Sequence, residues 1–418
     1  MPKILFHSLV FSPDSVSTSY LMTDLAKQLK SIGHDVTVLT TSPHYNIDRE
    51  AVKRQNMKSR WFGLLGRSDL DGIDVWHVRI PMKGQRVYSR VFDYLYFHKM
   101  SLFIGFFFLK KHDLVLTPSP PLTMGLVGWL LGWKMNAPYV YNIQEIYPDF
   151  AINQGLIRNP LLIKFLRWIE SVVYAKSAKI VSISQWFNDI VVRRNVPKEK
   201  LEVIPNFVDT ELYHPLPRDN WFAREHNLLD KFVVLYGGNI GLSQDWEALL
   251  HTAAELSVLP IEFVLVGDGA VSKWLRAEVE TRQLRNIRFL GYQPRQMMAM
   301  ANASSDVCMI PMKSNTTIDT FPSKIYTILA CGKAVIVQAD PNSELEWLMK
   351  KVDCGYVAVP DDARSFTDAV RAAYENRGSL QEKGRRGLEL VRAQYSKEVV
   401  GMQYDRLVRE LTEKISRG

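Results

Sequence analysis

Short apolar runs alternate with amphipathic helical stretches along the whole chain, and this alternation constrains the fold more than any other feature. Ile4–Leu9 has the character of a buried strand. Ser19–Ile32 follows, with Leu21, Leu25, Leu29 and Ile32 on one helical face. Gly33-His34 ends that helix, and Val36–Thr40 is the next apolar run. A strand, a helix and a second strand in this order predict a parallel sheet with helices on both faces. The pattern continues through strands at Val75–Ile80, Leu114–Thr117, Tyr139–Ile143, Lys179–Ser182 and Leu201–Ile204. Helices are expected between them at Leu122–Met135, Pro160–Ser177 and Gln185–Asn195.

Residues 1–204 thus read as one complete domain. Residues 205–220, rich in Pro, Asn and Asp, read as a linker. Residues 221–390 repeat the alternation, with strands at Phe232–Tyr236, Phe263–Val266, Ile287–Leu290, Val307–Ile310 and Ala334–Val337. Residues 391–418 are expected to form a helix that packs back toward the first domain. The expected class is α/β, with two Rossmann-like, doubly wound domains facing a cleft. Strand carboxyl ends would point into that cleft, where open α/β sheets bind ligands.

Composition removes several alternatives. With 47 % hydrophobic and 23 % charged residues, the chain is neither disordered nor fibrous. Cys308, Cys331 and Cys354 show no CxxC spacing, which fits a reducing compartment and argues against a zinc ribbon. The histidines show neither HxxxH nor HExxH, so no structural metal is expected. Asp69-Leu70-Asp71 precedes Gly72 and a strand; it reads as a hairpin turn, with metal binding the lesser alternative. No GxSxG is present, and no nucleic-acid recognition module is apparent.

The net charge of +8 is unevenly spread: residues 1–205 carry +10 and the remainder −2. The excess concentrates in residues 53–111, which hold 12 Lys or Arg against four acids. Within this stretch Lys83, Arg86, Arg90 and Lys99 interleave with Tyr88, Phe92, Tyr94, Tyr96 and Phe97, ahead of SLFIGFFFL. Basic and aromatic residues together suit an anionic membrane surface, where rings sit at headgroup depth. Phe103 and Phe106–Phe108 also read as part of a buried helix. The longest charge-free run, Leu114–Trp133, is broken by Pro118, Pro120 and Pro121, so no spanning helix is expected. Nor does the start of the chain read as a signal peptide. The expected location is cytoplasmic, peripheral to the inner face of the cell membrane.

Three motifs carry chemistry. Tyr236-Gly237-Gly238-Asn239-Ile240-Gly241 joins a strand to a helix, where glycines let the backbone approach a phosphate. The same glycines also serve an unliganded turn. Phe263–Gly269 (FVLVGDG) places Asp268 and Gly269 in a second such turn. Asp319-Thr320-Phe321-Pro322-Ser323-Lys324 leads into a short helix, with Ser323 the expected N-cap and Gly332 the stop. Lys324 and Thr327 share a helical face. A carboxylate, loop amides, a helix start and a lysine on one point suit a sugar joined to a phosphate. A lysine in the first turn opposes the helix dipole, so its placement wants a reason, with an exposed lysine by chance as the alternative reading.

The segment PSKIYTILACGKAVI resembles the nucleotide-sugar signature of retaining glycosyltransferase family 4, which has the GT-B fold. VIPNFVD, YGGNIG, FVLVGDG and NIRFLGYQP follow the family's order, and SIGHDVTVLT and NIQEIYPD match it in the first domain. The resemblance covers essentially the whole chain and is closest to bacterial enzymes of capsule, O-antigen and other surface-polysaccharide synthesis, including amino-sugar transferases. It implies that Asp319, with the amides of Thr320 and Phe321, meets the donor sugar. Thr327 stands where the family's second acid holds the ribose. Asn239 and Gln244 stand where a basic pair usually binds the diphosphate, leaving Lys324 and Lys313 to supply charge. Ser12-Pro13-Asp14-Ser15 replaces the first domain's usual glycine pair. Gln144 occupies the place of a frequent histidine, and Glu145 or Asp149 would orient the acceptor hydroxyl.

The sequence reading is therefore a retaining transferase moving a hexosyl or N-acetylhexosaminyl group from a nucleotide sugar, a UDP-sugar, to a lipid-linked acceptor. Lys324, the amides of Gly238 and Asn239, and the helix start at Ser323 would stabilise the leaving diphosphate without cofactor or metal. A nucleotide-sugar 2-epimerase of the same fold and a non-catalytic membrane-binding protein are the competing readings.

Overall fold

The computed structural model describes residues 1–44, 49–60, 63–81, 87–318 and 320–416. Two units divide the chain: Met1–Asn206 with Lys397–Gly418, and Phe207–Ser396.

The first unit runs β1 (Lys3–His7), α1 (Ser17–Ser31), β2 (Asp35–Thr41), α2 (Arg49–Gln55), β3 (Lys58–Arg60), β4 (Leu65–Leu70) and β5 (Ile73–Val78). It continues through α3 (Val87–Phe107), β6 (Leu114–Pro118), α4 (Met124–Met135), β7 (Tyr139–Ile143) and α5 (Asp149–Asn153). Then come α6 (Pro160–Lys176), β8 (Lys179–Ser182), α7 (Gln185–Val192) and β9 (Leu201–Val203). The nine-stranded sheet has the order β3-β4-β5-β2-β1-β6-β7-β8-β9. Seven strands are parallel, and β3 and β4 extend the β5 edge as an antiparallel hairpin. The Asp-x-Asp sequence makes the β4–β5 turn: Asp71 (φ 55°) and Gly72 (φ 80°) are left-handed, and Asp69 Oδ1 accepts from the Gly72 amide at 3.0 Å.

Helix α4 lies close on the sheet because three glycines face its neighbours. A Cβ at Gly125 would sit 2.5 Å from Val173, one at Gly128 2.4 Å from Thr117, and one at Gly132 3.0 Å from the Ala137 carbonyl.

The second unit contains α8 (Trp221–Glu225), β10 (Phe232–Gly237), α9 (Trp246–Glu255), β11 (Ile261–Val266), α10 (Ser272–Thr281) and β12 (Ile287–Gly291). It continues through α11 (Met298–Ala303), β13 (Val307–Ile310), α12 (Lys324–Ala330), β14 (Val335–Gln338) and α13 (Glu344–Val352). It ends with β15 (Gly355–Ala358), α14 (Ala363–Glu375) and α15 (Leu380–Leu390). The chain then returns to the first unit as α16 (Lys397–Ser416). There α16 packs on α1, with Gly401 against Gln28, and beyond the end of α1 His34 Nε2 lies 2.7 Å from Asp405 Oδ1.

All six strands of the second sheet are parallel, in the order β12-β11-β10-β13-β14-β15. Alternate residues of β10 serve opposite faces: Val233 and Leu235 enter one hydrophobic cluster, Phe232, Val234 and Tyr236 the other. The segment read as a linker is packed into this unit, with Val208 and Tyr213 buried in its core. Strand order reverses at β10, between β11 and β13, so the loops leaving β10 and β13 diverge at a ligand-binding switch point.

Candidate functional site: an interlocked glycine turn beneath a buried lysine

The two glycine turns of the second unit are one structure. The Gly238 amide donates to the Val266 carbonyl at 2.9 Å, and the Ile240 amide to the Asp268 carbonyl at 3.0 Å. The Gly267 amide reaches Gly291 at 2.7 Å, which ties in the end of β12. Gly267 (φ +144°) has to be glycine, because a Cβ there would lie 1.9 Å from the Gly238 carbonyl oxygen. These bonds satisfy most loop amides internally. The amides of Asn239 and Asp268 find no acceptor among the described residues. Asn239 and Asp268 are both exposed, and Gly269 donates its amide to Asp268 Oδ1 at 2.8 Å.

Lys324 joins the third motif to the first. Its Nζ donates to the Tyr236 hydroxyl at 2.8 Å and lies 4.1 Å from that ring's centroid. The hydroxyl in turn donates to the Asn239 carbonyl at 2.5 Å. A Cβ at Gly238 (φ +136°) would sit 2.9 Å from Nζ, so the lysine lies directly over the turn. Part of the side chain is accessible, but the ammonium is enclosed, and burial lowers its pKa from 10.5 to about 7. Among the described residues no carboxylate pairs with it.

Several expectations about this region are corrected. Gly238 does not offer its amide, which is used by Val266. Ser323 stands at the N-cap of α12 in the αR region and makes no capping bond through its side chain, because a cap needs extended backbone. Gln244 is buried: its Oε1 accepts from the Gly241 amide at 2.9 Å, so it supports the turn. Phe321 stacks on Tyr326 with ring centroids 5.5 Å apart. Thr320 donates both its amide, at 3.2 Å, and its Oγ1, at 2.8 Å, to the Thr316 carbonyl, so that amide is not offered to a donor sugar. Thr327 Oγ1 donates to the Lys324 carbonyl at 2.8 Å, which leaves its oxygen only acceptor capacity. Lys313 is exposed, and its amide donates to Ser243 at 3.0 Å. Asp319 lies outside the described residues.

In the first unit, Glu145 follows β7. Burial raises its pKa from 4.5 to about 7, and among the described residues no cation pairs with it. Its two expected companions are otherwise engaged. Gln144 receives Asn206 Nδ2 at 2.8 Å on Oε1 and donates Nε2 to Asn142 Oδ1 at 2.5 Å. Asn142 in turn donates to the Tyr404 hydroxyl at 2.6 Å, so this amide chain ties β7 to α16. Asp149 is held by the guanidinium groups of Arg167 and Arg194, which also share Glu170. It braces α5 against α6 and α7 and is not free to meet a hydroxyl.

Two family models match consecutive parts of the chain. A glycosyl transferase 4-like domain covers residues 19–206, and glycosyl transferases group 1 covers residues 217–388. The chain belongs to glycosyltransferase family 4. Relatives of this glycosyltransferase include WcaI of Escherichia coli strain K12, named for colanic acid biosynthesis glycosyl transfer. It is 22 % identical over 384 residues, covering 89 % of this chain and 92 % of WcaI. Alpha-galactosylglucosyldiacylglycerol synthase of Streptococcus pneumoniae strain R6 is 22 % identical over 198 residues, 45 % of this chain and 51 % of that protein. Among solved structures, sucrose-phosphate synthase of Thermosynechococcus elongatus superposes with a TM-score of 0.76 at 17 % identity, covering 99 % and 100 % of the two chains. Anabaena HepE, solved with UDP, gives 0.73 at 14 % identity, covering 98 % and 100 %. The fold is therefore GT-B.

Three features of this glycosyltransferase were missed by the sequence reading. Tyr236 reads as an ordinary strand residue, although its hydroxyl organises both Lys324 and the turn. Asp340, after β14, accepts from the Asn315 amide at 2.7 Å and the Thr317 amide at 2.9 Å, and so fixes the loop leading to Asp319. Asp245 caps α9 through the Ala248 amide at 3.1 Å and accepts from Gln338 Nε2 at 2.9 Å. Only the capping role of Asp245 is legible locally, as an acid before a helix. Among the described residues no group of three His, Cys, Asp or Glu is placed to hold a metal ion, and no helix is long and apolar enough to cross a membrane.

Proposed function

We propose that this glycosyltransferase moves a sugar from a UDP-sugar to a lipid-linked sugar acceptor in surface-polysaccharide synthesis, with retention of configuration, at the inner face of the cell membrane. The observation that carries the reading is the enclosed ammonium of Lys324 above the Gly238 turn, with no carboxylate paired to it among the described residues. A leaving nucleoside diphosphate develops negative charge on its phosphate, and a fixed cation in a poorly solvated site stabilises that charge strongly. The Asn239 and Asp268 amides of the interlocked turns add two donors. Thr327 accepts a bond from a ribose hydroxyl, and Asp319 meets the donor sugar. On the other unit, Glu145 orients the acceptor hydroxyl. The names of the relatives support the class: one is named for colanic acid, one for a glycolipid, and HepE was solved with UDP and with UDP-glucose.

A thermal-shift panel of UDP, GDP, ADP and CMP tests the donor, because a selective ligand raises the melting temperature by mass action. UDP is expected to give the largest shift. Radiolabelled UDP-sugar with and without membrane lipid tests the rest. Label appearing in lipid supports the transferase, interconversion of the sugar without lipid would replace it by an epimerase, and neither would leave a binding protein. Asp319→Asn is expected to weaken donor use; unchanged transfer removes that carboxylate from the mechanism.

A further inference from the structure

Three neighbouring helices of the first unit share an outward face that the donor chemistry does not use. Helix α3 lies along α4: His98 Nε2 is 2.8 Å from Thr123 Oγ1, and a Cβ at Gly105 would sit 2.1 Å from Leu131. Helix α6 lies along the other side, with Val173 against Gly125 and Lys176 Nζ 5.2 Å from the Trp129 ring. In both pairs residue numbers increase in the same direction, so α3 and α6 run parallel to α4. The first turns of α3 and α6 therefore project past the start of α4. That is the carboxyl edge of the sheet, because α4 follows the end of β6. Glu145, which follows β7, stands on the same edge.

These projecting turns are apolar and uncovered. On α6, Leu161 is 77 % exposed, Phe165 54 % and Trp168 57 %; on α3, Phe92 is 52 % and Leu95 62 %. Phe103 and Phe107 continue the α3 stripe, whereas Phe97 on the opposite side is buried. Scattered apolar residues are ordinary, but two helical stripes of large ones are not. The exposed charges on the three helices have one sign. Arg90, Lys99, Lys134, Lys164 and Lys176 are exposed, and the only acids on the three helices, Asp93 and Glu170, are buried. Lys83 and Arg86, which the sequence places before α3, lie outside the described residues.

We propose that this α3–α4–α6 face, with the start of α6 as its anchor, docks on an anionic lipid surface and brings the Glu145 edge to it. The proposal rests on the lipid-linked acceptor reading and names the surface that would meet the lipid. Aromatic and aliphatic side chains enter the headgroup layer, and the surrounding cations attract anionic lipid. A second copy of the chain fits poorly, because two such faces would oppose like charges without an acid between them.

The experiment is co-flotation of the full chain with phosphatidylglycerol or phosphatidylcholine vesicles at low and high salt. Binding is expected to phosphatidylglycerol, weaker at high salt. The combined variant Leu161→Ser, Phe165→Ser, Trp168→Ser should lose at least tenfold in vesicle partition. Its melting temperature and its UDP-induced shift should stay unchanged, since these side chains are exposed and lie on the other unit. Lys164→Glu with Lys176→Glu should lose binding chiefly at low salt. Wild-type flotation by the triple variant overturns the proposal. So does a wild-type chain that stays soluble with both lipids, or a dimer that the triple variant abolishes. Transfer to a water-soluble acceptor analogue separates the two ideas. A triple variant that keeps this transfer but not flotation supports docking, whereas a wild-type chain that floats but transfers nothing breaks the acceptor reading alone.

Discussion

The surroundings of Lys324 and of Glu145, the proposed donor and acceptor sides of this glycosyltransferase, are built on opposite plans. Around Lys324 nearly every polar group has a partner within the second unit: Tyr236 is bonded twice, Gln244 supports Gly241, and the Gly238 and Gly267 turns share backbone bonds. Around Glu145 the neighbours Gln144 and Asp149 are drawn into structural networks, and among the described residues the Glu145 carboxyl group is left without a cation. Both Lys324 and Glu145 have pKa values moved to about 7 by burial, one downward and one upward. A preorganised cradle fits a constant group such as a diphosphate. A single carboxylate on the sheet edge to which an exposed apolar helix face also extends fits an acceptor whose position is set by something other than this unit.

The strongest way to break this comparison is Lys324→Ala. Losing one preorganised donor at an anionic leaving group costs about 3 kcal/mol, roughly a hundredfold in turnover, with little loss of melting temperature. Wild-type turnover of the folded variant would remove the lysine from the site.

Glu145→Gln comes next, with a loss of about 1.5 kcal/mol, roughly tenfold in turnover, and an unchanged UDP thermal shift. Turnover of the wild type should rise as pH passes through about 7, because the carboxylate is the form that accepts from a hydroxyl. Stability should move the other way. The folded chain holds a proton on Glu145 that the unfolded chain has released between pH 4.5 and about 7, so stability falls with rising pH across that window. Chemical denaturation of the variant should show this slope reduced.

Tyr236→Phe removes one acceptor from Lys324 and keeps the ring against Trp246. A loss of about 1 kcal/mol, roughly fivefold in turnover, is expected. The tyrosine oxygen favours the charged lysine, so UDP affinity should begin its alkaline decline at lower pH in the variant. Calorimetric titrations across pH read this directly; a purely structural role would lower the melting temperature and leave the decline in place.

Asp149→Asn should reverse the pattern. It breaks the contacts to Arg167 and Arg194, so about 1–3 kcal/mol of stability is lost while turnover stays within about twofold. A large drop in turnover at full stability would restore Asp149 to the acceptor site. The smallest expected effect is that of EDTA, which should leave transfer unchanged because the diphosphate site proposed above is made of Lys324 and loop amides. Activity lost with EDTA and recovered with manganese would overturn that assignment.

The alternation of strands and helices and the β4–β5 turn at Asp71-Gly72 are properties of neighbouring residues, so they were legible in the chain; Gly238 and Gly267 were legible as turn residues, but the contacts that exclude a side chain there, with Lys324 and with the Gly238 carbonyl, were not. The expected convergence of Lys324 on the Gly238 turn was legible for a related reason: both loops leave carboxyl ends of strands in one parallel sheet. The commitments of individual polar groups were not. Tyr236 and Lys324 are 88 residues apart, Asp149 and Arg194 are 45, and Gln144 and Asn206 are 62. No local pattern tells a spare carboxylate such as Glu145 from a paired one four residues later. The periodicity of Pro160–Lys176 likewise tells which side chains share a face, but not whether a neighbour covers them. By itself the sequence determined the layer architecture and the turns, because strand and helix periods and left-handed backbone positions are fixed within a few residues. Which amides, acids and apolar faces remain open was decided by tertiary structure alone, because desolvation and pairing depend on groups that meet only after the sheet has formed.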